Sequence, residues 1–123
     1  MSRSALAARD YVEHMLDSCK KIQRFIKGKS LDEFFQDDMV QDAVMFNLQV
    51  LGEAARQLMF VLPDAHSRFP TIPFNEMYVT RNRLIHGYAS IQPRIVWEVA
   101  EREIPAVRAA LEATLSAWPA ELP

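Results

Sequence analysis

Apolar positions recur along this chain at intervals of three and four residues, the spacing that gathers side chains on one face of an α-helix. In the first segment Tyr11, Met15, Ile22, Phe25 and Ile26 carry the pattern, and Val12, Leu16 and Cys19 widen it. They predict a helix from near Leu6 to Ile26, with Gly28 as its stop. A longer pattern runs through Val40, Val44, Leu48, Leu51 and Leu58, with Met45, Ala55 and Met59 beside it. It predicts a helix from Met39 to Leu62, apolar on more than one side and so packed against several neighbours. A third helix begins near Phe74 and turns Met77 and Leu84 to one buried face. A fourth begins at Pro93, a residue suited to a first helical turn, and continues through Ile95, Val99, Val107, Leu111 and Leu115. Pro105 interrupts it and predicts a kink at or just before that residue.

The intervening stretches read as connections. Ser30 and Glu33 have the spacing of a capping box ahead of a short helix. Asp32, Glu33, Asp37, Asp38 and Asp42 form an acidic run, but it lacks the alternating ligands and glycine of a calcium loop. A solvated face or helix caps account for it better. Pro63, Pro70 and Pro73 punctuate the chain after the second long helix, with a short helical turn expected between Asp64 and Phe69. The fold class that follows is all-α, an antiparallel helical bundle with four main helices and a short extra helix. One domain is expected over residues 1–118, with 119–123 a short C-terminal tail and Trp118 trailing off the domain.

Composition narrows the picture. With 123 residues, half of them apolar, the chain suffices for one core and not two. A net charge of -2 gives no global case for nucleic-acid binding. Basic charge is local: the segment from Arg56 to Arg94 holds five arginines against Asp64 and Glu76. Lys20, Lys21, Arg24 and Lys27 read better as a solvated helix end complementing the dipole than as a phosphate-facing patch. Cys19 is the single cysteine and excludes an internal disulfide. No stretch has the pattern of a signal peptide or a membrane span, so a cytoplasmic location and no membrane partner are expected.

The densest chemistry lies in Arg81-Asn82-Arg83-Leu84-Ile85-His86-Gly87-Tyr88. Arginine offers fixed donors for phosphate, and histidine exchanges a proton near neutral pH. On a regular helix Asn82 and Arg83 share a face with His86, whereas Arg81 stands roughly 140° from it. One continuous helix does not aim Arg81 and His86 at the same phosphate. With Gly87 ending or loosening the helix, the motif either wraps round a terminus or its residues meet across two chains. A plainer reading is a basic helix end that complements its own dipole, with Tyr88 an ordinary half-buried aromatic. Within the second long helix, Asn47 and Glu53 are polar interruptions. The Glu53 carboxylate is suited to orient a histidine or arginine from another helix, or to form a salt bridge at the edge of the core. His66 reads as a surface histidine.

The arginine, four intervening residues, histidine, one residue and tyrosine at Arg81, His86 and Tyr88 resemble the signature of the HepT-like (DUF86) proteins in the HEPN superfamily. The resemblance extends through Asp42-Ala43-Val44, Asn47-Leu48, Gly52-Glu53-Ala54-Ala55, Ile72-Pro73-Phe74, Ile95-Val96-Trp97 and Ile104-Pro105. Phe74 departs from the tryptophan more usual there. The resemblance implies a homodimer whose signature histidines lie near a cleft between two chains. It implies a ribonuclease toxin of a two-component toxin-antitoxin system, cleaving RNA without an obligatory metal or other cofactor. In that setting Arg81 and His86 are the catalytic residues, and Asn82, Arg83 and Tyr88 bind RNA or support the site. The implied partner is an MNT-type minimal nucleotidyltransferase antitoxin, which uses ATP and magnesium to transfer AMP to Tyr88. Two other functions fit the same residues: a noncatalytic RNA-binding or partner-binding module, and a structural dimeric helper that needs Tyr88 but not His86.

Overall fold

The computed structural model describes residues 6–87 and 91–123. Its elements in chain order are α1 (Ala8–Ile26), α2 (Leu31–Phe35), α3 (Asp38–Val61), α4 (Ala65–Arg68), α5 (Phe74–His86), α6 (Pro93–Glu98), a π-helical turn (Val99–Glu103) and α7 (Ile104–Ser116). The last three run on from one another, so the long helices are α1, α3, α5 and the composite final helix. The fold is an all-α helical bundle. The short helices α2 and α4 both lie where the sequence marks short helical turns.

Polar residues start these helices where the backbone would otherwise leave N–H groups unpaired. The Ala7 N–H donates to Asp10 Oδ2 at 3.0 Å at the head of α1. At α2 the capping box forms: Glu33 N–H donates to Ser30 Oγ at 3.2 Å and Ser30 N–H to Glu33 Oε1 at 2.8 Å. Val40 N–H donates to Asp37 Oδ1 at 3.1 Å ahead of α3. Part of the acidic run is thus occupied in capping. Gly28, with φ at 75°, takes the chain out of α1 through the left-handed region that favours glycine.

The core lies between α1, α3 and α7, with α5 on another side of α3. Val12, Met15, Cys19 and Ile22 of α1 are wholly buried, as are Val44, Ala55 and Leu58 of α3 and Leu111 of α7. Each larger aliphatic side chain so buried contributes roughly 1.5–3 kcal/mol relative to exposure. Burial also pushes the Cys19 thiol up to about 12. Phe34 of α2 packs against Trp97 of α6, ring centroids 5.3 Å apart, which ties the short helix to the final one.

The interruption expected at Pro105 takes the form of the π turn immediately before it. Proline supplies no N–H and crowds the preceding turn, and a wider turn accommodates both within a helix that carries on to Ser116. The expectation that Trp118 trails off is corrected. Its ring stacks on Phe69 at 5.3 Å, Glu121 pairs with Arg68 at 3.1 Å, and Leu122 packs on the core. Apolar surface on Trp118 and Leu122 is enough to fold the end of the chain back. Among the described residues no helix is long and apolar enough to cross a membrane.

Candidate functional site

The site begins with a close contact between helices. A Cβ added to Gly52 on α3 would collide with the Cβ of Arg81 and lie 2.7 Å from the carbonyl oxygen of Met77 on α5. Only a residue without a side chain lets the two helices approach this far, and the approach sets Arg81 beside Glu53.

Glu53 is held from its own helix. Arg56 forks onto it, Nε to Oε1 at 3.1 Å and Nη2 to Oε2 at 2.8 Å, and Gln57 Nε2 donates to Oε2 at 3.1 Å. The Arg56 hydrogen bonds are the main reason its carboxyl is held down at about 2, with Gln57 and the charges of Arg56 and Arg81 adding to them against desolvation. The fixed carboxylate then meets Arg81, Nη2 to Oε1 at 3.3 Å. Arg81 Nη1 donates to Asn82 Oδ1 at 2.9 Å. Its Nε is buried with no hydrogen-bond partner among the described residues, an uncompensated donor of the kind that favours gaining an acceptor.

Arg81 lies on the wall of an open cavity of about 600 Å³ between α1, α3 and α5, with Tyr11, His14, Lys21, Asn47 and Gln57 also on its walls. Asn47 is buried and donates to the carbonyl of Ala43 at 2.8 Å. His86 faces elsewhere. It is the last residue of α5, exposed, and borders a depression of about 430 Å³ with Val79, Asn82, Arg83 and Ile91. Asn82 joins the two sides, bonded to Arg81 and bordering the depression of His86.

Within one chain, then, Asn82, Arg83 and His86 come together, Arg81 and Glu53 come together, and the two groups open onto different cavities. The helix remains regular through His86 and ends at Gly87, whose N–H donates to the Arg83 carbonyl at 2.9 Å. Arg83 and His86 in its last turn also complement its dipole. Tyr88 lies outside the described residues. His66 is exposed and meets Phe74 edge to face at 5.4 Å, on a different part of α5 from His86.

Five contributors escape a sequence reading aimed at the signature. Gly52 carries a signal, because a glycine inside a long helix asks for a packing reason. Arg56 and Gln57 carry one as well, three and four residues beyond Glu53 on the same helical face. His14 and Tyr11 carry none, since only the packing of α1 on α3 brings them to the Arg81 cavity.

The result is a small all-α domain that presents an arginine, an asparagine and a histidine around the end of one helix. The chain belongs to the ribonuclease HepT-like family, which it matches over residues 15–114. It is 34% identical over 97 residues to a candidate RNase of Caldanaerobacter subterraneus subsp. tengcongensis, covering 79% of this chain and 84% of that protein. A probable ribonuclease HepT of Thermococcus cleftensis is 30% identical over 105 residues, 85% of this chain and 92% of the relative. A longer protein of Methanocaldococcus jannaschii, described as a gamma-glutamylcyclotransferase and candidate RNase, is 32% identical over 98 residues, 80% of this chain and 43% of that protein. No solved structure matches the chain.

Proposed function

We propose that the chain is a metal-independent ribonuclease toxin of a cytoplasmic two-component toxin-antitoxin system. It cleaves RNA at a site assembled from two copies and is inhibited by an MNT-type minimal nucleotidyltransferase. The observation that carries this reading is the division of the signature of a HepT-like chain. His86 is exposed on one side of the end of α5, and Arg81 is anchored by Glu53 on the other. A second chain related by a twofold axis supplies the proximity that one helix cannot.

At such a site His86 accepts the proton of an RNA 2′-hydroxyl or donates one to the leaving 5′-oxygen. The 2′-oxygen attacks phosphorus, the bond from phosphorus to the 5′-oxygen breaks, and the products are a 2′,3′-cyclic phosphate and a 5′-hydroxyl. Arg81 neutralises charge gathering on the phosphorane oxygens, and Arg83 adds a phosphate contact. Asn82 orients His86 or the phosphate, and Tyr88 stacks on a base or hydrogen-bonds near the scissile link. The partner silences the toxin by placing AMP on Tyr88, using ATP and magnesium. Negative phosphate beside Arg83 and His86 then competes with RNA.

The test is cleavage of RNA by purified protein in the presence of a chelator, with His86→Ala as comparison. The variant should fold and associate as the native chain does and lose about 10²-fold or more of the rate. Equal cleavage by a correctly folded His86→Ala protein removes His86 as the proton carrier. One observation favours a second reading, a noncatalytic RNA-binding or partner-binding module. Glu53 and Asn82 already occupy Arg81 donors that a phosphate would use. That reading requires RNA binding without cleavage by the native protein.

A further inference from the structure

Beside the depression of His86 lies a second, more enclosed cavity of about 260 Å³ between α3, α5 and the start of the final helix. The two hollows share Arg83 and Ile91. The inner one is walled by Leu48, Leu84, Ile95, Val96 and Val99, while Thr80, Arg83 and Gln92 bring polar groups to it. Leu48, Leu84 and Val96 are buried, whereas Ile95 is 40% exposed. Val99, on the same wall, is the first residue of the π turn. The hollow opens to solvent past Gln92 and Ile95, and aliphatic walls with a few convergent polar groups are the make-up of a small-ligand site.

We propose that this cavity is a nucleobase subsite for the RNA strand, holding the base of a nucleotide next to the phosphate addressed by Arg83 and His86. The inference rests on the ribonuclease reading and extends it to how the strand is held. Its volume admits one planar base. Aliphatic walls accept the faces of the ring, and a carboxamide, a hydroxyl and a guanidinium meet its edge. Gln92 offers both a donor and an acceptor, as a base edge requires. Among the described residues Arg83 forms no ion pair, so its guanidinium is available where the two hollows join. A phosphodiester in the outer hollow therefore has a place for its base in the inner one. RNA readers commonly seize unstacked bases in this way, by apolar or aromatic contact with the faces and hydrogen bonds to the edge.

Methyl-detected NMR titration of the intact protein tests this with defined probes: the common nucleoside 3′-monophosphates, inorganic phosphate and 5′-AMP. RNA cleavage by the same preparation is assayed in parallel. At least one 3′-nucleotide should move the methyl signals of Leu84, Ile91 and Val99 together with the His86 ring signals, whereas phosphate alone should move His86 only. Ile95→Trp, which fills the rim of the cavity from a half-exposed position, should weaken nucleotide binding by about tenfold or more and leave phosphate binding in place. Gln92→Ala, an exposed change that cannot unfold the core, should alter the order of preference among the bases. Cleavage of RNA with no methyl shift overturns the subsite and leaves the ribonuclease reading standing. Absence of both cleavage and shifts overturns the two together. Binding of 5′-AMP in this cavity more tightly than any 3′-nucleotide also overturns it, because the hollow would then serve a free nucleotide rather than the strand.

Discussion

Glu53 on α3 holds Arg81 on α5 at 3.3 Å, and the carboxylate is itself fixed by the fork of Arg56. The arginine of the signature is thus positioned by a residue outside it. The arrangement has a pH dependence of definite sign. Glu53 is lowered from 4.5 to about 2, first by the Arg56 hydrogen bonds. Below 4.5 the unfolded carboxyl takes up a proton that the folded one does not bind until near 2. The stabilisation is therefore fully present above 4.5 and is lost as pH falls through about 2. Glu53→Gln should cost about 0.2–1 kcal/mol at neutral pH, the range for exposed pairs. In urea melts across pH, the gap between native and variant should be flat above 4.5 and close towards 2. A gap that persists at the acid end would show that Glu53 stabilises by packing instead.

Gly52→Ala should separate stability from the site. The added methyl meets the backbone of Met77 and the root of Arg81, neither of which can swing away. Overpacking of this kind costs about 1–3 kcal/mol, offset by up to about 1 kcal/mol from the better helix propensity of alanine. Leu111→Ala, buried on α7, a helix that packs chiefly against α1, should cost about 2–5 kcal/mol by leaving a cavity. Assayed well below both melting temperatures, Gly52→Ala should lose RNA cleavage and Leu111→Ala should keep it. Equal losses in the two would mean that Arg81 is not positioned through Gly52.

Much of the fold is legible because helix starts and stops carry local chemistry. Ser30 with Glu33, Pro93 at the first turn of α6 and Gly28 after α1 each act within a few residues of their place in the chain. The separation of Arg81 from His86 is legible too, since it follows from helical geometry alone. What the sequence hides is tertiary. Trp118 folds back because Phe69, far off in the chain, offers a ring to stack on. The form of the interruption at Pro105 depends on what packs around the final helix, so the proline marks the place but not the π turn. Likewise the wall that α1 contributes to the Arg81 cavity depends on how α1 meets α3, which no spacing within α1 records.

The regulatory part of the proposal turns on Tyr88, two residues beyond His86. Incubation with a cognate nucleotidyltransferase, ATP and magnesium should add AMP-sized increments to the intact mass and abolish RNA cleavage in step. Tyr88→Phe keeps the ring and removes the acceptor oxygen, so it should take no increment and stay active in the presence of the partner. Modification at a different residue, or full activity after complete modification of Tyr88, would contradict this scheme.

The composite site is tested most directly by mixing two inactive chains. Arg81→Ala and His86→Ala proteins are prepared with distinguishable tags, unfolded and refolded together, and the mixed dimer is isolated and assayed on RNA. If Arg81 of one chain acts with His86 of the other, the mixed dimer retains one intact pairing. It should recover up to half of the native cleavage rate, while each parent remains near background. A mixed dimer that forms and is as inactive as its parents would contradict a site shared between two copies.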